Sequence, residues 1–271
     1  MVSSREGTNS LRNTKNVFAI LGDSVSWWHK KFKMGASFFQ FKQFTIHQNR
    51  CSMKVTTDAC LFGAWVAERI NNETPVKNIL DIGSGTGLLS LMLAQKSTAG
   101  IDGIELQQKD YLQSRENIIA SRWHDRINMI HADAINYQFA KKYDVIISNP
   151  PFYENDLKGE VKGKNIARHD DGLTLENLVN IIVKNLSSEG KFYLLLPEKR
   201  KADLLETIGN SALFINHIVD VHQTEKHSAF RIMVEGGFTK ANLPEAKITI
   251  KKDGVYSSTF VQLLKDYYLH L

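Results

Sequence analysis

The sequence predicts an α/β fold with a seven-stranded, mostly parallel sheet and an antiparallel final strand pair. From residue 77 onward, short apolar strands alternate with helical stretches of ten or so residues, which is the pattern of βαβ units in a parallel sheet. The last two strands of this region have no helix between them and should therefore pair antiparallel. The composition is that of a globular protein, with 42% hydrophobic residues in 271, which excludes wholesale disorder and collagen-like repeats.

The chain before this region divides into two parts. Residues 1–35 lack a clear hydrophobic period, and we expect a flexible N-terminal extension. Residues 36–76 form an N-terminal addition to the domain, in which 38–47 alternate like a strand hairpin. Thr57-Asp58 then offers an N-cap for an apolar helix.

The core of the domain is predicted over 77–237, and a C-terminal hairpin and helix over 238–271. Strands are predicted over 77–82, 101–106, 127–133, 143–149, 191–197, 213–222 and 228–236. Helices are predicted over 88–96, 107–121 and 174–187 and around 198–210. The C-terminal hairpin should turn at Asp253-Gly254, ahead of an aromatic-rich helix.

Charge and cysteine content restrict the possible partners. A formal net charge of +5 and a pI of about 9.0 favour anionic partners such as nucleic acid. The two cysteines fit neither a disulfide framework nor a zinc motif, and no histidine has metal partners at useful spacing, so we expect no metal. The sequence has no apolar run of the ~20 residues that cross a bilayer and no signal-peptide cleavage site, which predicts a cytoplasmic protein.

A glycine-rich run follows the first core strand and precedes a helix. Such a run lets the backbone turn tightly and approach a ligand, and the helix N-terminus adds free N–H groups. Dinucleotide folds favour the spacing G-x-G-x-x-G, whereas this run is D-x-G-x-G-x-G. The aspartate at its start suits the ammonium of a methionine moiety and repels a pyrophosphate, which favours S-adenosylmethionine over NAD. The run reads Asp81-Ile82-Gly83-Ser84-Gly85-Thr86-Gly87.

Two further acids close the next two strands. Glu105 can accept both ribose hydroxyls of a bound nucleoside, and Asp133 can accept the adenine amine. A glycine run alone is also compatible with a mere tight turn, but its combination with acids at successive strand ends favours a binding site. The predicted donor-binding residues are Asp81, Gly83, Ser84, Gly85, Gly87, Glu105, Leu106, Asp133, Ala134 and Asn149.

The fourth strand ends in an Asn-Pro-Pro-Phe turn, which predicts the catalytic residues Asn149, Pro150, Pro151 and Phe152. The two prolines remove N–H donors, so the Asn149 side-chain oxygen and the Pro150 carbonyl could hold an exocyclic amine. Phe152 would stack on the ring of that base. The alternative is a proline turn that merely ends a strand.

These motifs resemble those of known enzymes. DIGSGTG with VIISNPPF resembles the Rossmann-like class I methyltransferases that act on nitrogen. FKQFTIHQNRCSMKVTTDACLFGAWV (41–66) and VYSSTFVQLLKDYYL (255–269) resemble the tRNA1(Val) adenine-37 N6-methyltransferase family. The resemblance covers residues 36–271 and implies methylation of an adenine beside the anticodon, with S-adenosylmethionine as the donor and tRNA as the partner. We expect a monomer.

Basic residues beside the turn are candidates for binding the RNA. The segment 153–169 contains four cations that could grip phosphates, and Lys54 and Thr57 lie in the family-like block. A solvated charged loop is the alternative. The predicted substrate-binding residues are Lys54, Thr57, Lys158, Lys162, Lys164 and Arg168.

Three other functions remain open at this point. A glutamine methyltransferase acting on release factors would use the same turn, but such enzymes usually carry a helical domain in front and a tyrosine where Phe152 stands. A guanine-N2 rRNA methyltransferase tends to be larger through duplication, and this chain contains no second copy. A non-catalytic binding module would not need the intact Asn-Pro-Pro-Phe turn.

Overall fold

The computed structural model describes residues 37–71, 76–150, 173–241 and 246–271. The extension expected over residues 1–35 lies outside this part of the chain. The predicted hairpin is confirmed: β1 (Phe38–Gln40) pairs antiparallel with β2 (Thr45–His47). Helix α1 spans Thr57–Asn71. The hydroxyl of Thr56 accepts the amide of Ala59 at 3.4 Å, so the cap lies one residue earlier than predicted.

The remaining elements follow the predicted order with bounds that differ by a few residues. The strands are β3 (Asn78–Ile82), β4 (Gly100–Glu105), β5 (Ile127–His131), β6 (Tyr143–Ser148), β7 (Leu186–Pro197), β8 (Phe214–Thr224), β9 (Ala229–Gly237), β10 (Ala246–Lys252) and β11 (Val255–Tyr256). The helices are α2 (Leu88–Lys96), α3 (Gln108–Ile119), α4 (Leu175–Asn185), α5 (Lys201–Gly209, after a 3-10 turn at Glu198–Arg200) and α6 (Ser258–Leu264).

The sheet order is β11-β10-β8-β9-β7-β6-β3-β4-β5. Strands β3 to β7 are parallel to their neighbours among themselves, and β8 and β9 pair antiparallel, as predicted. Strand β9 lies between β7 and β8 and is antiparallel to both. We call the edge of the sheet at which β3, β4, β6 and β7 end the carboxyl edge. In open α/β sheets this is the edge that binds ligands.

The predicted strand number was too low. The C-terminal hairpin joins the large sheet: β10 pairs parallel with β8 and β11 pairs antiparallel with β10, so this sheet has nine strands within the described residues. Ile248 and Ile250 of β10 are buried in one core cluster with Val221 of β8 and Phe260 of α6. Pairing with β10 also covers the backbone groups that β8 would otherwise leave open at a sheet edge.

Apolar side chains cover both faces of this sheet. Strand β7 shows the alternation: Tyr193 and Leu195 belong to a cluster with α1, α2 and α6, whereas Phe192 and Leu194 belong to a cluster with α4 and α5. Burial on both faces explains the long apolar runs of the central strands.

Candidate functional site

The glycine-rich run connects β3 to α2 with a left-handed backbone at three positions. Gly83, Gly85 and Gly87 have φ values of 71°, 54° and 77°, which side chains with a Cβ rarely adopt. The amides of Gly83 and Ser84 both donate to the carbonyl of Ile104 in β4, at 2.9 and 3.2 Å. The run is therefore held against the end of the neighbouring strand.

Glu105 fixes the middle of the same run. One of its carboxylate oxygens accepts the Gly85 amide at 2.9 Å, and the other accepts the Gln107 amide at 2.8 Å. Burial raises the pKa of Glu105, and these backbone hydrogen bonds oppose the shift. Each oxygen retains a further lone pair, so the carboxylate can still accept ribose hydroxyls.

Asp81 is a buried acid with one unused oxygen. Its Oδ2 accepts the amide and the hydroxyl of Ser90 at 3.2 and 2.7 Å, but its Oδ1 has no hydrogen-bond partner among the described residues. Burial raises its pKa to about 6. The buried Ser84 hydroxyl also lacks a partner there. Buried polar atoms are rarely left unpaired, so both atoms fit a site whose ligand supplies a donor.

The residues predicted to contact the adenine have weaker structural support than Asp81 and Glu105. Asp133 lies in the turn after β5, and its carboxylate already accepts the Ile135 amide at 3.0 Å and the Asn136 side-chain amide at 2.7 Å. Ala134 lies in the same turn and is half-buried. Leu106, after β4, is 52% exposed, which leaves an apolar side chain next to Glu105 that a ring could cover. Within the described residues, no hydrogen bond joins Asp133 to the glycine-rich run, so its role stays a prediction.

Asn117 of α3 is a site residue that sequence reasoning missed. It is buried, and its side-chain amide donates to the carbonyls of Thr86 at 2.9 Å and His47 at 2.8 Å, while its oxygen accepts the His47 amide at 2.9 Å. It thereby joins the glycine run to the N-terminal hairpin. The signal in the sequence was a row of polar residues at helical spacing, namely Asp110, Gln113, Ser114 and Asn117, and the structure shows that all four are buried.

The segment after the hairpin also rests on α3. The Ser52 amide donates to Asp110 Oδ1 at 2.9 Å, and the Arg50 side chain pairs with Glu116. The block that carried the family resemblance therefore packs against α3, the helix that also contacts the glycine-rich run.

The Asn-Pro-Pro-Phe turn begins where β6 ends at the carboxyl edge. Asn149 is half-buried and Pro150 is buried. The Ser148 hydroxyl donates to the Ile82 carbonyl at 2.7 Å, which ties the end of β6 to the end of β3 next to the glycine run. The other predicted catalytic and basic residues lie outside the described residues, namely Pro151, Phe152, Lys158, Lys162, Lys164 and Arg168.

The N-terminal end of α1 lies at the same edge. Asp58 accepts a hydrogen bond from Arg231 of β9 at 2.8 Å. Arg231 is paired with Pro197, the last residue of β7, so the contact marks the carboxyl edge. Lys54 and Thr57, which shortly precede Asp58 in the sequence, are both exposed.

Curated relatives match this chain over nearly their whole length. The tRNA1(Val) (adenine(37)-N6)-methyltransferase of Trichodesmium erythraeum is 40% identical over 242 residues, covering 87% of this chain and 99% of the relative. The protein of the same name from Dyadobacter fermentans is 38% identical over 239 residues, covering 85% and 97%. The chain belongs to the tRNA1(Val) (adenine(37)-N6)-methyltransferase family.

Other comparisons agree with this family. Residues 64–232 match the Methyltransferase small domain family. The fold is similar to that of a "predicted O-methyltransferase" from Agrobacterium tumefaciens, with a TM-score of 0.58, 20% identity and coverage of 77% of this chain and 96% of that one. A putative class I S-adenosylmethionine-dependent methyltransferase from Listeria monocytogenes gives a TM-score of 0.54 at 14% identity, covering 73% and 67%. The predicted Rossmann-like class I methyltransferase fold and the predicted family are confirmed.

The described residues contain neither a candidate metal site nor a helix that could span a membrane. Among these residues, no cluster of three or more His, Cys, Asp or Glu side chains could hold a metal ion. No helix within the described ranges is long and apolar enough to cross a membrane.

Proposed function

We propose that this protein transfers a methyl group from S-adenosylmethionine to the N6 amine of an adenine in tRNA, namely adenine 37 beside the anticodon of tRNA1(Val). The observation that carries the proposal is the near full-length match to relatives of that name in a chain with an intact Asn-Pro-Pro-Phe turn. The placement of Asn149 next to the glycine run at one edge of the sheet supports it.

The donor side of the site supports S-adenosylmethionine, which supplies an electrophilic methyl group on a sulfonium. Asp81 would accept the ammonium with its unpartnered Oδ1, and Glu105 would accept the ribose hydroxyls. Leu106 and Ala134 offer apolar surface to the adenine, and Asp133 keeps lone pairs for its amine.

The acceptor side needs positioning rather than a strong base. The lone pair of an exocyclic amine is delocalised into its ring, which makes the nitrogen a poor nucleophile. The Asn149 oxygen and the Pro150 carbonyl would accept its two hydrogens, localise electron density on nitrogen and aim it at the methyl group. Phe152 would stack on the base, and the proton would leave after transfer.

We further propose that residues 36–271 form the methyltransferase domain and that it acts as a monomer in the cytoplasm. The proposed substrate, tRNA, supports that location. Gel filtration of the purified protein against its mass of 30.7 kDa tests the monomer.

The decisive experiment is methyl transfer from labelled S-adenosylmethionine, with total tRNA, rRNA and a release factor offered separately. We expect label in tRNA, recovered as N6-methyladenosine, and an initial rate about 10²–10³-fold lower with Asn149→Ala. Label in the release factor with tRNA blank would assign the same turn to a glutamine amide. Label in rRNA as N2-methylguanosine would contradict the adenine. Absence of both donor binding and label would point to a non-catalytic module.

A further inference from the structure

Two ion pairs join α1 to β9, one at each end of the helix. Asp58 in the first turn pairs with Arg231 at 2.8 Å, and Arg69 in the last turn pairs with Glu235. Since Arg231 is paired with Pro197, the last residue of β7, the first pair lies at the carboxyl edge. Glu235 is paired with Tyr193, so the second pair lies four residues further inside the sheet. The two pairs have the same chemistry but different surroundings.

Both charges of the inner pair, Arg69 with Glu235, have further partners. Glu235 is buried and is held by Arg69 and by Lys191 at 3.1 Å. The Arg69 guanidinium also lies over the Trp65 ring, 5.0 Å from its centroid. A buried carboxylate compensated by two cations is expected of a contact that holds a helix on a sheet.

Among the described residues, Arg231 is hydrogen-bonded through one nitrogen. Its Nε donates to Asp58, and its two terminal nitrogens make no hydrogen bond within the described residues. The guanidinium lies 5.8 Å from the centroid of the Phe230 ring, and its side chain is 36% exposed. Four N–H donors of this guanidinium thus have no partner within the described residues, while Asp58 holds its Nε.

The strand register gives the distance of Arg231 from the turn. Ser148 is paired with Leu194 of β7, and Leu194 with Val234 of β9, so Arg231 lies three residues beyond that level. This is about 10 Å along the strand and about 10 Å across two strand spacings. A nucleotide whose base enters the turn after Ser148 has its sugar and phosphates outside this edge.

We propose that Arg231 binds a phosphate of the RNA strand next to the target nucleotide and that Asp58 orients its guanidinium for this contact. The inference rests on the proposed function, since it requires an RNA substrate. A guanidinium held through Nε presents its terminal nitrogens as a fork, and that geometry matches two phosphate oxygens.

The test compares three variants in steady-state methylation of tRNA over a series of salt concentrations. Arg231→Gln should raise the KM for tRNA about tenfold and reduce the slope of log KM against log salt by about 0.7, the value for one phosphate on a single strand. The KM for S-adenosylmethionine and kcat should stay unchanged. Arg69→Gln, the matched control, should leave the KM for tRNA and the salt slope as in the wild type.

Asp58→Asn separates the charge from the ion pair. The asparagine oxygen can still accept the Nε hydrogen, but the neutralising charge is gone, so the KM for tRNA should fall. If the ion pair between Asp58 and Arg231 only stabilises the fold, Asp58→Asn and Arg231→Gln should both impair the enzyme and leave the salt slope unchanged. That result, or an equal rise of KM in Arg69→Gln, would overturn the proposal.

Arg231→Lys serves if Arg231→Gln does not fold. It keeps the charge without the fork, so we expect the wild-type salt slope with an intermediate KM, whereas a wild-type KM would contradict a phosphate fork. Failure of the wild type to methylate tRNA would refute the proposed function, and with it this inference. Wild-type behaviour of Arg231→Gln would refute the inference alone.

Discussion

The proposed donor half and the proposed substrate half of the site are built in different ways. The donor half comes from one stretch of chain, residues 81–134, and its backbone and carboxylates hold one another in place, as Glu105 does with the Gly85 amide. The substrate half combines the start of α1, the end of β6 and the start of β9. Its contact between Asp58 and Arg231 joins residues 173 positions apart.

Because the two halves are built differently, substitutions in one half should affect donor binding and substitutions in the other should affect the reaction rate. Removing a group from the donor half should weaken donor binding, because the contacts there exist before any reaction. Removing a group from the turn after β6 should slow the reaction, because its partners are atoms that change charge during methyl transfer. Variants at Asn149, Asp81, Asn117 and Ser90 test this difference between binding and rate, in order of decreasing effect.

Asn149→Ala should lower kcat about 10²–10³-fold, the range for removing one preorganised polar contact to a reacting centre. The dissociation constant for S-adenosylmethionine should change little, because the lost contact is chiefly to the acceptor nitrogen. Single-turnover rates and calorimetric donor binding measure the two quantities. Asn185→Ala is the control, since within the described residues the side-chain amide of this buried residue donates to its own helix, to the Ile181 carbonyl at 2.8 Å. Loss of donor affinity with normal turnover would assign Asn149 to the donor half.

Asp81→Asn should weaken donor binding and stabilise the free protein. Loss of a charge-assisted contact of ~1.5–3 kcal/mol corresponds to about a 10- to 150-fold higher dissociation constant. Because burial raises the pKa of Asp81 from 3.8 to about 6, its ionisation costs stability as pH rises through 6. A shift of two units amounts to about 3 kcal/mol, so the variant should unfold with a higher free energy at pH 7. Urea unfolding at pH 5 and pH 7 checks the sign; a less stable variant at pH 7 would contradict it.

Asn117→Ala should raise the KM for S-adenosylmethionine about tenfold with little change in kcat. The Thr86 carbonyl loses its donor, so the glycine run is less well held, and an unpaired buried group costs about 1–3 kcal/mol. Asn216→Ala is the matched control, because that side chain bridges Thr239 and Ala241 far from the run. If both variants lose thermal stability and neither changes donor KM, Asn117 has only a structural role.

Ser90→Ala should have the smallest effect, a few-fold weaker donor binding. The Ser90 hydroxyl and amide both lower the pKa of Asp81, so loss of the hydroxyl raises that pKa further. In the wild type, donor affinity should fall as pH drops below about 6, where Asp81 becomes protonated. In the variant this decline should begin at higher pH. Coincident pH profiles of donor binding would argue that Asp81 does not contact the donor as a carboxylate.

Much of the fold was accessible from the sequence because its signals are local. The helix predicted over 88–96 is observed at Leu88–Lys96, between a glycine run and a strand of regular period. The C-terminal hairpin was also predicted, but its place in the sheet was not. The apolar alternation of β10 shows that it needs a neighbour, and it does not say that the neighbour is β8.

The sequence by itself determined the order in which the candidate functional residues follow the strands. A glycine-rich run comes first, then Glu105, then Asp133, then Asn149, each where a strand ends. This was possible because the spacing of βαβ units fixes which residues reach one edge of a sheet. The tertiary structure alone decided that Asn117 reaches Thr86 and that Asp58 meets Arg231. Such contacts join segments 31 and 173 residues apart, and they form only when packing brings two faces together, which no local pattern encodes.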